Sequence, residues 1–258
     1  MPKGSRGGRR ATVAGTIPVA GTATPQQAQN ILQDLADGDT VSFSDFMSLS
    51  EDDKADAIAT IMTQDLPNFL DNSVTQKLLY YTELDAKPQV VADNVLDSMP
   101  GISYFRTVNK EYNSRLDVNY TAKDIYNQIT KGDFTRVSSS GGSAYGKGIY
   151  FADDYYHSAR GYGRYNGTNG TLTMRMKFNS NRRPITDRAS INGYQREIRN
   201  GTKLGRVLRR IGSQEDRQSV YALVKGYNVI NGGSYQSVLD RGAITMSSRT
   251  TNGSGTRW

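Results

Sequence analysis

The sequence predicts an α+β protein in which a small helical module precedes a strand-rich domain with a split antiparallel sheet. Three observations carry this. Between residues 24 and 100, apolar residues recur at helical spacing behind Ser and Thr caps and ahead of Gly and Pro breaks. After Gly101, short segments alternate apolar and polar residues, which is the two-residue period of a half-buried strand. Charge divides at nearly the same place: residues 34–99 hold 14 acids against 3 bases, whereas residues 100–258 hold 25 bases against 11 acids. Opposite signs let the two modules attract each other, and a basic module suits a phosphate-rich ligand or nucleic acid. The competing reading of the same charges is a set of solvated faces.

In chain order, residues 1–23 are rich in Gly, Thr, Ala and Arg without apolar periodicity and read as a disordered basic arm able to contact nucleic acid or a capsid. Residues 24–100 form the helical module. TPQQAQNILQDLADG has a Thr24 cap, Pro25 in the first turn and a stop at Gly38. Ser50 and Asp53 resemble a capping box that opens SEDDKADAIATIMTQ, broken at Leu66-Pro67. NSVTQKLLYYTEL is a further helix before the Lys87-Pro88 break, and VVADNVLDSM is the last before Pro100-Gly101.

Residues 101–248 form the second domain and 249–258 a flexible tail. Ile102–Val108, Thr171–Phe178, Ser219–Val224 and Tyr235–Thr245 read as strands, with GYNVINGG as a turn-rich connection. TAKDIYNQITKGD is a helix capped by Thr121, Phe134–Ser140 leads into Gly141 and Gly142, and GTKLGRVLRRIG is a helix in a basic, irregular segment.

Composition narrows the chemistry. With no cysteine there are no disulfides, thiolate metal sites or Cys nucleophile, and His157 as the only histidine leaves no histidine cluster, so no metal is expected. No apolar run approaches the roughly 18 residues of a membrane span, and MPKGSRGGRR lacks the apolar segment of a secretory signal. What remains is a bound organic cofactor, electrostatic positioning, or no chemistry at all.

The stretch Gly146–Tyr162, GKGIYFADDYYHSARGY, stands out. A glycine-framed turn runs into the apolar strand Ile149–Ala152, followed by a helix start that Asp153 or Asp154 can cap. Glycines at such a junction admit a ligand where a Cβ would clash. Arg106, in the middle of ISYFRTV, is a guanidinium among apolar neighbours and needs a planar anionic or carbonyl partner.

GKGIYFA, with the small-residue and Tyr segment after it, resembles the signature of ADP-ribosyltransferases of the poly(ADP-ribose) polymerase type, and the similarity extends over about residues 102–248. The resemblance implies the split-sheet fold of that family and NAD as co-substrate. It places Arg106 where the family has the His of an H-Y-E triad or the Arg of an R-S-E triad, and Tyr150 where its second triad residue packs beside nicotinamide. Thr107, Gly146, Gly148, Ser158 and Tyr162 then contact the cofactor, with Ser158 at the position of the serine that bonds the carboxamide and Tyr162 one residue beyond the second stacking tyrosine. His157 stands at a lysine position of the polymerases. Ser138, Ser139 and Ser140 are similar to the Ser-Thr-Ser strand of the toxin-type enzymes, and equally to a flexible loop.

The third motif departs from the pattern. The family's glutamate, which bonds the ribose and stabilises the cation formed as nicotinamide leaves, falls at Tyr235, Gln236 or Ser237. Gln236 is the candidate: it can bond a hydroxyl but supplies no charge. The resemblance therefore implies a mono-ADP-ribosyltransferase-like protein acting on a macromolecular acceptor, protein before nucleic acid, in the cytoplasm of a bacterial host or packaged in a phage virion. The alternative is a catalytically impaired relative serving as a virion component that binds nucleic acid or capsid. No membrane partner is expected.

Overall fold

Serine and threonine caps set the start of most of the helices. Our computed structural model describes residues 21–67, 72–84, 87–109, 111–113, 118–131, 146–155, 158 and 171–252. Helix α1 (Pro25–Ala36) opens with the reciprocal box of Thr24 and Gln27, whose backbone N–H groups donate to each other's side chains at 2.8 and 3.3 Å. Ser50 caps α3 (Glu51–Thr63) through the Asp53 N–H, and Ser73 caps α4 (Val74–Tyr81) through the Gln76 N–H. Between α1 and α3, α2 (Phe43–Ser48) is a short helix that periodicity did not indicate, although Ser42 accepts from the Asp45 N–H in the usual manner.

The sheet begins before residue 101. Strand β1 (Gln89–Val91) and helix α5 (Asp93–Ser98) lie in the stretch expected to end the helical module, yet β1 pairs in parallel with the late strand β10 (Ile244–Ser247). The chain continues through β2 (Tyr104–Val108), the ribbon β3 (Glu111–Asn113) and β4 (Val118–Tyr120), and α6 (Ala122–Lys131). After β5 (Ile149–Ala152), β6 (Leu172–Phe178) and β7 (Pro184–Ile185) come four helices: α7 (Arg188–Ile191), α8 (Gly193–Asn200), α9 (Lys203–Arg210) and α10 (Gln214–Val224). Then follow β8 (Val229–Asn231), β9 (Tyr235–Val238), a 3-10 turn (Arg241–Ala243), β10 and β11 (Thr251–Asn252).

Eight strands form one sheet in the order β1, β10, β6, β2, β5, β9, β8, β7, and β11 also pairs with β6. It is mostly antiparallel but mixed, because β1–β10 and β7–β8 run parallel. Each parallel pair is closed by a long crossover, as parallel pairing requires. The protein is thus α+β, with N-terminal helices followed by this mixed sheet and its helices.

Four sequence expectations are corrected, and the first is that Tyr235–Thr245 is not one strand: β9 ends at Val238, and β10 begins at Ile244 after the 3-10 turn. Ser219–Val224 is helix, not strand: Ser213 caps α10 through the Asp216 N–H at 3.0 Å. The helix is buried all round from Gln218 to Val224, so it carries no amphipathic stripe to distinguish it from a buried strand. GYNVINGG contains β8, and residues 251–252 of the expected loose tail pair with β6. The expected arm up to residue 20, the Phe134–Ser140 segment and residues 253–258 lie outside the described residues.

One hydrophobic cluster runs from Leu35, Phe46 and Ile58 in the N-terminal helices to Phe151, Leu223 and Met246 around the sheet. Ions reinforce it across the charge division: Lys203 pairs with Asp56 at 2.5 Å, Lys225 with Glu51, and Arg175 with Asp93 and Asp97 at 2.5 and 2.6 Å. Buried Arg241 donates from Nη1 to the Gln128 carbonyl at 2.8 Å and holds α6 to the turn before β10. No helix among the described residues is long and apolar enough to cross a membrane.

Candidate functional site

The central strands β2, β5 and β9 are neighbours, and they carry Arg106, Tyr150 and Gln236. Register then sorts their side chains between the two faces of the sheet, because opposed residues share a face and successive residues alternate. Tyr150 is opposite Ser237, and Ala152 is opposite both Tyr235 and Phe105. Thr107, two residues on from Phe105 and opposite Thr173, therefore shares the face of Tyr150. Phe151 is opposite Gln236, and Arg106 is opposite Met174, so Gln236 and Arg106 leave the sheet on the other face.

Ser158, whose N–H donates to the Asp154 carbonyl at 3.1 Å, also meets the Tyr150 face through its side chain. Its buried hydroxyl accepts from the Thr107 N–H at 2.7 Å and donates to Thr107 Oγ1 at 3.0 Å, and Thr107 Oγ1 meets Thr173 Oγ1 at 2.9 Å. A strand N–H and a hydroxyl are thus held side by side near the half-buried Tyr150. A planar amide could exchange into that pair, its carbonyl taking the N–H and its NH2 the hydroxyl. Phe105 and Tyr155, which sequence reasoning did not single out, meet edge to face at 5.9 Å on the same side.

The turn before β5 is fixed by serines that local sequence did not reveal. The Lys147 N–H donates to Ser219 Oγ of α10 at 2.7 Å, and the Gly148 N–H donates to Ser237 Oγ of β9 at 3.1 Å. Tyr150 Oη closes the turn by donating to the Gly146 carbonyl at 2.8 Å. Gly146 has φ +84°, and a Cβ there would lie 2.6 Å from Ser219 Oγ and 2.8 Å from Ile230 Cδ1. At Gly148 a Cβ would lie 2.6 Å from the Val238 carbonyl oxygen. Both glycines are therefore required by the protein's own packing, a reason the sequence could not separate from ligand access.

Arg106 is half-buried and donates from Nη1 to the Tyr150 carbonyl at 3.0 Å, which supplies the carbonyl partner its surroundings demand. Gln236 is buried: its Oε1 accepts from Arg182 Nη2 at 3.2 Å, and its Nε2 donates to Asn231 Oδ1 at 2.8 Å. Arg182 in turn lies over the Phe178 ring, 4.1 Å from its centroid. On the Tyr150 face, β9 presents Tyr235 and Ser237, neither of them acidic. The expected contacts at Tyr162, His157 and Ser138–Ser140 lie outside the described residues. No family model matches this chain, and no curated protein or solved structure is significantly similar to it.

Proposed function

We propose that the chain is an NAD-binding protein of the mono-ADP-ribosyltransferase type, with nicotinamide seated on the Tyr150 face of the sheet. The reading is supported above all by Ser158 Oγ lying 2.7 Å from the Thr107 nitrogen, beside the strand that carries Tyr150. In this reading the Thr107 N–H and Ser158 hydroxyl hold the carboxamide, Tyr150 packs along the ring, and Arg106 positions the Tyr150 strand from behind. A split-sheet ADP-ribosyltransferase architecture belongs to the same proposal, supported by the adjacency of the three motif strands.

A second reading keeps the NAD site and removes the transfer. It is favoured by Tyr235 and Ser237, the β9 residues on the Tyr150 face, which give a developing cation no negative charge. Calorimetric titration with NAD, followed by assays of nicotinamide release and of label transfer from NAD to host lysate, separates the two. Saturable binding with release and transfer, both lost in Ser158→Ala, supports the transferase. Binding without release supports the second reading, and absence of saturable NAD binding overturns both.

A further inference from the structure

The segment Arg188–Arg210 holds seven basic residues and one acid, and its helices sort them cleanly. Helix α8 buries Tyr194 and leaves Arg196 and Arg199 exposed one turn apart. Helix α9 buries Leu204, Val207 and Leu208 and leaves Arg206, Arg209 and Arg210 exposed on its opposite side. The two helices are pressed together at Gly205, where any Cβ would overlap the Glu197 carbonyl. Arg206 Nη1 donates to the Gly201 carbonyl at 2.7 Å and Arg209 Nη2 to the Ile198 carbonyl at 2.9 Å, so the α9 guanidinia lie over the end of α8.

The nearby acids are already engaged. Glu197 bonds the Thr202 hydroxyl at 2.8 Å and faces Lys225 at 3.6 Å, and Asp56 takes Lys203, the segment's one lysine. Arg196, Arg199 and Arg210 make no hydrogen bond or ion pair with any described residue. A concentration of like charge left without internal partners is matched by an external polyanion.

We propose that the α8–α9 face binds the phosphate backbone of nucleic acid. The exposed charges are all arginines, whose planar forks suit phosphate oxygens in pairs. Among the described residues the large exposed apolar ones, Val90, Val95, Ile102 and Tyr235, all lie outside this segment, so the face offers no side chain for insertion into a bilayer. The surface is independent of the NAD reading and stands or falls separately.

The test is binding of a labelled 30-base-pair DNA duplex by the full chain across a salt series. Two parallel arms use vesicles of phosphatidylserine and phosphatidylcholine, and poly-glutamate. Arg196→Gln/Arg199→Gln/Arg210→Gln is expected to weaken duplex binding at least about tenfold at low salt, and to flatten log K against log salt by about 0.9 for each phosphate no longer neutralised. The charge-preserving Lys triple variant is expected to keep the slope and lose affinity by a smaller factor. A variant with Lys3, Arg6, Arg9 and Arg10 changed to Gln separates the arm: it is expected to leave the effect of the triple substitution intact. Wild-type protein that binds vesicles or poly-glutamate more tightly than duplex, or a folded Gln triple variant with unchanged affinity and slope, overturns the proposal.

Discussion

Arg106 Nη1 donates to the Tyr150 carbonyl oxygen at 3.0 Å, joining β2 to β5 beside the single opposed pair of their ladder, Phe105 and Ala152. With so little ladder between these strands, the guanidinium is part of what keeps them together. Arg106→Ala is expected to cost about 1.5–3 kcal/mol in chemical denaturation, the range for a hydrogen bond donated by a charged group. If Arg106 positions the strand rather than touching NAD, Arg106→Lys should recover much of both stability and NAD affinity. Recovered stability with no recovery of NAD affinity would mean that the guanidinium contacts the ligand directly.

Gly146 and Gly148 differ in what an added methyl would meet. At Gly148 the neighbours are the Val238 carbonyl and Ser237 Oγ, so Gly148→Ala must push β9 from β5, and overpacking of this kind costs about 1–3 kcal/mol. At Gly146 a side chain also meets the positive φ, and Gly146→Ala is expected to be the more destabilising of the two. Denaturation midpoints check both, and a Gly148→Ala protein as stable as the parent would show that the β5–β9 contact gives way easily.

These same residues show what was legible in the sequence. The helices with capped, striped segments could be read because Thr24, Ser50 and Thr121 act within one turn of themselves. Strands β2, β5 and β6 were visible as alternation or as an apolar run behind a glycine-framed turn. What could not be read depends on partners distant in sequence: β1 is held by residues 245–247, and α10 is buried on every side from Gln218 to Val224 because helices and sheet surround it. The candidate site divides similarly. Thr107, Tyr150 and Ser158 fall on one face, but the orientation of Gln236 is fixed by pairing with Phe151, which no local pattern encodes.

Asp93 fastens α5 to the sheet. It accepts from Ser247 Oγ at 2.7 Å and pairs with Arg175 at 2.5 Å and Arg249 at 3.5 Å. Burial alone pushes its carboxyl upward, but the Ser247 hydroxyl and the two guanidinia outweigh it and hold the pKa below the ordinary 3.8. A carboxylate depressed by folding stabilises fully above its unfolded pKa, and that stabilisation is lost as pH falls through the lower folded value. The stability difference between the parent and Asp93→Asn is therefore expected to be about 1–3 kcal/mol near pH 6 and to shrink below about pH 4. A difference that stays constant from pH 6 to pH 3 would exclude the charge as its source.

The register of β9 makes the missing acid a matter of position. Gln236 is buried against Arg182 on the face away from Tyr150, whereas Tyr235 is 39% exposed and shares the Tyr150 face. Gln236→Glu is expected to pair with Arg182 and leave nicotinamide release from NAD unchanged. Tyr235→Glu places a carboxylate on the proposed nicotinamide side, at a position whose exposure tolerates it, and is expected to raise release at least about tenfold. Single-turnover release of nicotinamide from the two variants distinguishes them. If Gln236→Glu gains activity and Tyr235→Glu does not, the ligand lies on the Arg106 face, and the seat proposed beside Thr107 and Ser158 is wrong.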